Sequence, residues 1–171
     1  NMNFSKKEIK SYFDNNKDSY NYIYKTINFL EINPKNLTGS DDFSNLFFEK
    51  IDKIDDLIVE GKKINYILKN FELSTARTFT LDEFGVDKNG SIIKELPKQM
   101  LNNLFSSEIN QTALVVHENK YYIYEIAKIE NLQKDINDPM VIKDIKERLK
   151  LKQARKFISE LASKTNNDGF K

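Results

Sequence analysis

Imidazole and thiol side chains, the usual general bases, nucleophiles and transition-metal ligands, are all but missing from this sequence. His117 is the single imidazole, and there is no Cys. Zinc fingers, iron–sulfur sites, thiolate nucleophiles, multi-His metal centres and any Ser-His-Asp triad not built on His117 are therefore excluded. His117 opens the tetrapeptide His117-Glu118-Asn119-Lys120 between two β-rich runs, where it reads as an exposed turn residue. Asp52, Asp55 and Asp56 sit among Lys50 and Lys53 at helical spacing, the pattern of a solvated charged face rather than a metal site. Tyr20, Tyr22, Tyr24, Tyr121, Tyr122 and Tyr124 fall in two short runs. Cross-strand aromatic packing explains most of them, with a peptide-binding surface as the other reading.

Charge narrows the partners. The 171 residues carry 27 Lys+Arg against 26 Asp+Glu, a net charge of +1, with Arg only at Arg77, Arg148 and Arg155. Nucleic-acid surfaces draw on a net positive field and on Arg forks, so DNA and RNA are not expected partners. No apolar run approaches the roughly 20 residues of a membrane span, and no signal-peptide pattern opens the sequence. The chain enters a helix almost at once and stops in the polar stretch 163–171, as a piece of a longer protein with its targeting segment upstream would do.

The elements that must position these residues follow from periodicity. Ser5 and Glu8 have capping-box spacing, predicting a helix to about Lys17, and Tyr22 to Ile32 alternates as a strand. Phe43, Leu46, Phe47, Ile51, Ile54, Leu57 and Ile58 recur at helical spacing from Asp41 to about Glu60, with Gly61 where a left-handed cap is wanted. A short helix over 63–70, a strand over Arg77 to Leu81 and a turn at Asn89-Gly90 come next. Pro97 then opens a helix whose apolar stripe is Leu96, Met100, Leu101, Leu104 and Phe105. Thr112 to Val116 and Tyr121 to Ile129 form a hairpin. Asp138-Pro139 caps a final helix reaching about Lys164, with Ile142, Ile145 and Leu149 on one stripe and Leu151, Ala154, Ile158 and Leu161 on a shifted one. Strands mixed with helices and a terminal hairpin argue for an α+β fold with a mainly antiparallel sheet. The expected organisation is a flanking helix at 1–19, one domain at 20–131, the long helix at 138–164 and a polar tail at 165–171.

This order of elements resembles the parvulin-type (PpiC-type, rotamase) peptidyl-prolyl isomerase domain of the SurA and PpiD periplasmic folding factors. The stretches 56–67 and 96–105 and the strand Tyr121-Tyr122-Ile123-Tyr124-Glu125-Ile126 carry the resemblance, and the flanking helices match those around such domains. It implies a four-stranded sheet, a proline-binding wall at Leu96, Met100 and Phe105, and catalytic positions occupied by Thr26 and Tyr122 in place of the family's two His. The family's Gly-Gly loop is here Phe84-Gly85-Val86-Asp87, with one Gly. The resemblance also implies extended or unfolded polypeptides as partners, no cofactor, a periplasmic or periplasm-facing location, and isomerase activity that is weak or lost. Two alternatives stand beside this reading. In one, the Thr26 and Tyr122 hydroxyls sustain genuine isomerase activity; in the other, the module is non-catalytic and its terminal helices mediate assembly on another domain or subunit.

Overall fold

The computed structural model describes residues 3–168. Four strands form one antiparallel sheet in the order β2-β1-β4-β3, where β1 is Asn21–Ile32, β2 Arg77–Leu81, β3 Thr112–His117 and β4 Lys120–Gln133. Between β1 and β2 lie α2 (Pro34–Thr38), α3 (Asn45–Val59) and α4 (Ile64–Asn70), and between β2 and β3 lies α5 (Leu101–Ser106). The helices α1 (Lys6–Asn15) and α6 (Pro139–Asp168) flank this segment in sequence. The result is the expected α+β architecture, with one antiparallel four-stranded sheet, packed helices and a long final helix.

Local chemistry fixes the boundaries. The Ser5 hydroxyl accepts from the Glu8 amide at 3.1 Å and the Glu8 carboxylate accepts from the Ser5 amide at 2.7 Å, so the capping box starts α1. The hairpin between β3 and β4 turns on Glu118 and Asn119, with φ of 48° and 63°; a two-residue turn with both φ positive matches the twist of the flanking strands. Two departures are instructive. A short helix, α2, follows β1 where periodicity shows none: Asn33 caps it through a reciprocal bond with Asn36, and Pro34 takes its first position. And α3 begins at Asn45 rather than near Asp41, because the Ser44 hydroxyl takes the Phe47 amide and leaves Phe43 outside the helix.

The chain divides into two compact units, Ile23–Asn131 and Asn1–Tyr22 with Leu132–Lys171. The first has a core on each face of its sheet. On one face Ile27, Phe29, Leu81, Tyr122, Tyr124 and Ile126 pack with Leu96, Met100 and Leu104. On the other, Ile32 and Ile123 pack under Leu37, Phe47, Ile51, Ile54, Ile64, Ile67 and Leu68 of α2, α3 and α4.

In the second unit Phe13 and Tyr20 stack with ring centroids 5.6 Å apart and bury Val141 and Ile145 of α6 against α1. The buried stripe of α6 therefore runs through Val141 rather than Ile142, which is half-buried. Asp138 caps α6 as the sequence predicts, accepting from the Met140 amide at 2.8 Å. The helix continues to Asp168, through the segment expected as a polar tail; residues 169–171 of that expectation lie outside the described residues.

Candidate functional site

Side chains alternate across a strand, so parity along β1 assigns each residue to a face. Ile27 and Phe29 belong to the core under α5, whereas Leu30 and Ile32 belong to the core under α3 and α4. Thr26 shares the parity of Leu30 and Ile32. Its hydroxyl lies 2.8 Å from that of Thr80, its direct partner on β2, a cross-strand Thr pair on that face. Tyr122 is on the opposite face, stacked on Phe29 with centroids 5.4 Å apart. The two residues expected to replace the family's His thus point to opposite sides of the sheet. An alignment offset of one residue is enough to invert the face, because the side-chain period of a strand is two.

Next to Thr26 on β1, on the side of Tyr122, Ile27 and Phe29, is Lys25, which no motif in the sequence singles out. Lys25 is 5% exposed, and its Nζ donates to the carbonyls of Leu104, Phe105 and Ser107 at 3.1, 2.9 and 2.6 Å. The Leu104 carbonyl also takes the Ser107 amide at 3.3 Å, so the ammonium reinforces that bond and supplies a donor to the Phe105 and Ser107 carbonyls at the end of α5. Burial lowers the Lys25 pKa. Beside it the Ser107 hydroxyl lies 2.7 Å from the Tyr124 hydroxyl and donates to the Asn103 carbonyl at 2.6 Å. Burial raises the Tyr124 phenol, and burial followed by the charges of Glu31 and Glu118 raises that of Tyr122, so both stay neutral hydroxyls. This is a polar clamp that fastens α5 to the sheet.

The structure brings Leu96, Met100 and Phe105 together, but as packing. Leu96 is 6% and Met100 2% exposed, and both belong to the core; Phe105 is half-buried against them. The expected proline-binding wall rests on the sheet, with Met100 sealed beneath it. The preceding loop adds to the closure. Gly85 has φ of 78°, and a Cβ there would sit 3.3 Å from Leu101 Cδ1, so the one retained glycine serves both a left-handed turn and close contact with α5. The Asp82 carboxylate accepts from the Phe84 and Val86 amides at 2.9 and 3.0 Å and holds this loop in shape.

A cluster of accessible aromatic rings in this unit lies at the start of α3. Phe43, at the position before the Ser44 cap, stacks on Phe48 at 6.3 Å and meets Phe47 edge-on at 5.1 Å. A residue before the cap packing on one in the first helical turn is a hydrophobic staple, which sets the angle at which the chain enters α3. Tyr121 joins the cluster, 5.2 Å from Phe47 and 6.4 Å from Phe43. Phe47 is fully buried, but Phe43 is 50% and Phe48 42% exposed, and Val116, opposite Tyr121 in the hairpin, is exposed as well. The aromatic-rich helix start was visible in the sequence, and Ser44 flanked by Phe43 and Phe48 was the signal that part of it faces out.

The remaining candidates have ordinary roles. His117 ends β3 opposite Lys120, with Nε2 3.9 Å from a Glu118 carboxylate oxygen. Asp52, Asp55 and Asp56 are exposed on α3, and among the described residues no group of three or more His, Asp or Glu is placed to hold a metal ion. No helix among them is long and apolar enough to cross a membrane.

No protein-family profile matches the chain, and no curated protein matches it. Among solved structures, one is similar over 98% of this chain at 16% identity, with a TM-score of 0.44. It is described with the virulence factor PEB4 and the periplasmic protein Cj1289, two structurally related SurA-like chaperones of Campylobacter jejuni. This chain spans 63% of the length of that one.

Proposed function

We propose that this chain is a polypeptide-binding module on a parvulin-like frame. It holds apolar segments of unfolded proteins against the aromatic surface at the start of α3 and does not turn over prolyl bonds. The observation that carries the reading is the half-exposed ring cluster of Phe43 and Phe48 over a fully buried Phe47. Monomeric domains seldom leave large aromatic surfaces in water without a use, and rigid rings bind apolar segments with little entropy loss.

Isomerase turnover has less support. The cis–trans barrier is about 18–20 kcal/mol, and lowering it requires a pocket that grips the ring and favours the twisted amide over the planar one. Here Leu96 and Met100 of the expected wall are core residues with Phe105 half-buried against them, and Thr26 and Tyr122 lie on opposite faces.

The test pairs binding with exchange. A fluorescently labelled, extended apolar peptide is expected to bind, and Phe43→Ser with Phe48→Ser to weaken it by roughly tenfold or more. An X-Pro peptide should exchange at its uncatalysed rate. Unchanged affinity in the double variant would reject the surface, and an accelerated exchange lost in Tyr122→Phe would restore the isomerase reading. A second reading, assembly through the terminal helices, is favoured by one observation: every residue of α6 over 150–166 is exposed.

A further inference from the structure

The two halves of α6 turn their apolar residues to different sides. Val141, Ile145 and Leu149 form the stripe packed within the terminal unit. Leu151, Ala154, Ile158 and Leu161 form a second stripe, which at roughly 100° per residue lies about 160° around the helix from the first. Leu151, Ile158 and Leu161 are 57%, 65% and 49% exposed, so this second stripe is unpartnered.

Its spacing is that of a coiled-coil seam. Leu151, Ala154, Ile158, Leu161 and Thr165 fall at alternating intervals of three and four residues, the a and d positions of consecutive heptads. The flanking e and g positions are then Lys150, Arg155, Phe157, Ala162 and Lys164. Every charged residue among them is cationic, and the acid of this stretch, Glu160, falls on the outer side. Like charges along both flanks disfavour pairing with a second copy of the chain, and opposite charges favour a partner. Small residues at Ala154 and Ala162 let another backbone approach closely, which suits a helix more than a lipid surface.

We infer that residues 150–165 of α6 form half of a two-helix coiled coil whose other half is an amphipathic helix with an apolar seam and Glu or Asp along its flanks. The inference names the partner class for the assembly reading above and stands apart from the aromatic surface of α3.

The probe is a synthetic helix of about three heptads with Leu at a and d and Glu at e and g, compared with a twin carrying Lys at e and g. The Glu-flanked peptide should bind the full chain, shift the amides of 151–165, and weaken roughly tenfold as added salt screens the flanks. Ile158→Lys, at an exposed site, should abolish binding without changing thermal unfolding, and Lys150→Glu with Arg155→Glu and Lys164→Glu should reverse the preference between the twins. Four outcomes would overturn the inference: equal binding of both peptides, binding of neither, association with phosphatidylglycerol vesicles alone, or dimerisation of the chain through 151–165. Shifts confined to Phe43, Phe48 and Tyr121 would also overturn it while leaving the α3 surface intact.

Discussion

The wall beside α5 and the entry to α3 are built from the same kinds of side chain, yet only the second reaches water. Met100 sits in a tight turn that lays α5 onto the sheet, and Lys25 fastens the far end of that helix through three carbonyls. Phe43 sits before a capped helix start, and the Ser44 bond that begins α3 also keeps it outside. An apolar stripe reports what a helix buries. Whether an apolar residue is offered to a partner depends on where the helix begins and on what covers it.

The contrast can be broken most forcefully at Met100. Met100→Ala should lower the unfolding free energy in urea by about 2–5 kcal/mol, the range for truncating a sealed core residue. A loss well under 1 kcal/mol would mean the wall is open after all. Next in size is Lys25→Met, which should destabilise by about 1–3 kcal/mol by leaving buried carbonyls unpaired. Indifference to this change would show that the α5 clamp does not hold the wall shut. Ser44→Ala should cost about 1 kcal/mol through the lost cap and weaken apolar-peptide binding severalfold by freeing Phe43. Destabilisation with unaltered binding would separate the cap from the aromatic surface.

The smallest effect is expected in the terminal unit. The Tyr20 hydroxyl donates to Asp144 at 2.8 Å, and burial, followed by that carboxylate, raises its pKa well above the ordinary value of 10.0. A folded-state pKa above the unfolded one gives stability that is complete below pH 10 and declines as pH rises beyond it. Tyr20→Phe should therefore cost only about 0.5 kcal/mol at neutral pH, since water can replace the hydroxyl at the partly exposed Asp144, and flatten the alkaline loss measured by thermal unfolding. An alkaline profile identical in the variant would assign the loss to other groups.

Much of this architecture was legible in the residues. The Ser5 and Glu8 pair, the β2 limits, Gly61 at φ 86° and the two-residue hairpin turn all stand where local chemistry puts them. The candidate site was less legible, for two physical reasons. A strand inverts its faces with each residue, so a position expected from an alignment good to about one residue can fall on either side of the sheet, and Thr26 and Tyr122 fall on opposite sides. And the periodicity that places Leu96, Met100 and Phe105 on one side is the same whether that side meets a sheet or a ligand. The opposed stripes of α6 were visible as a shift in register, but only the structure shows that Val141 anchors the first and that the second is bare.

The most direct measurement is an amide-resolved NMR titration of the whole chain with an extended apolar peptide containing proline. The account predicts shifts centred on Phe43, Phe48, Val116 and Tyr121, with the amides of 96–105 unmoved. Shifts centred on Leu96, Met100 and Phe105, with the α3 entry silent, would contradict it.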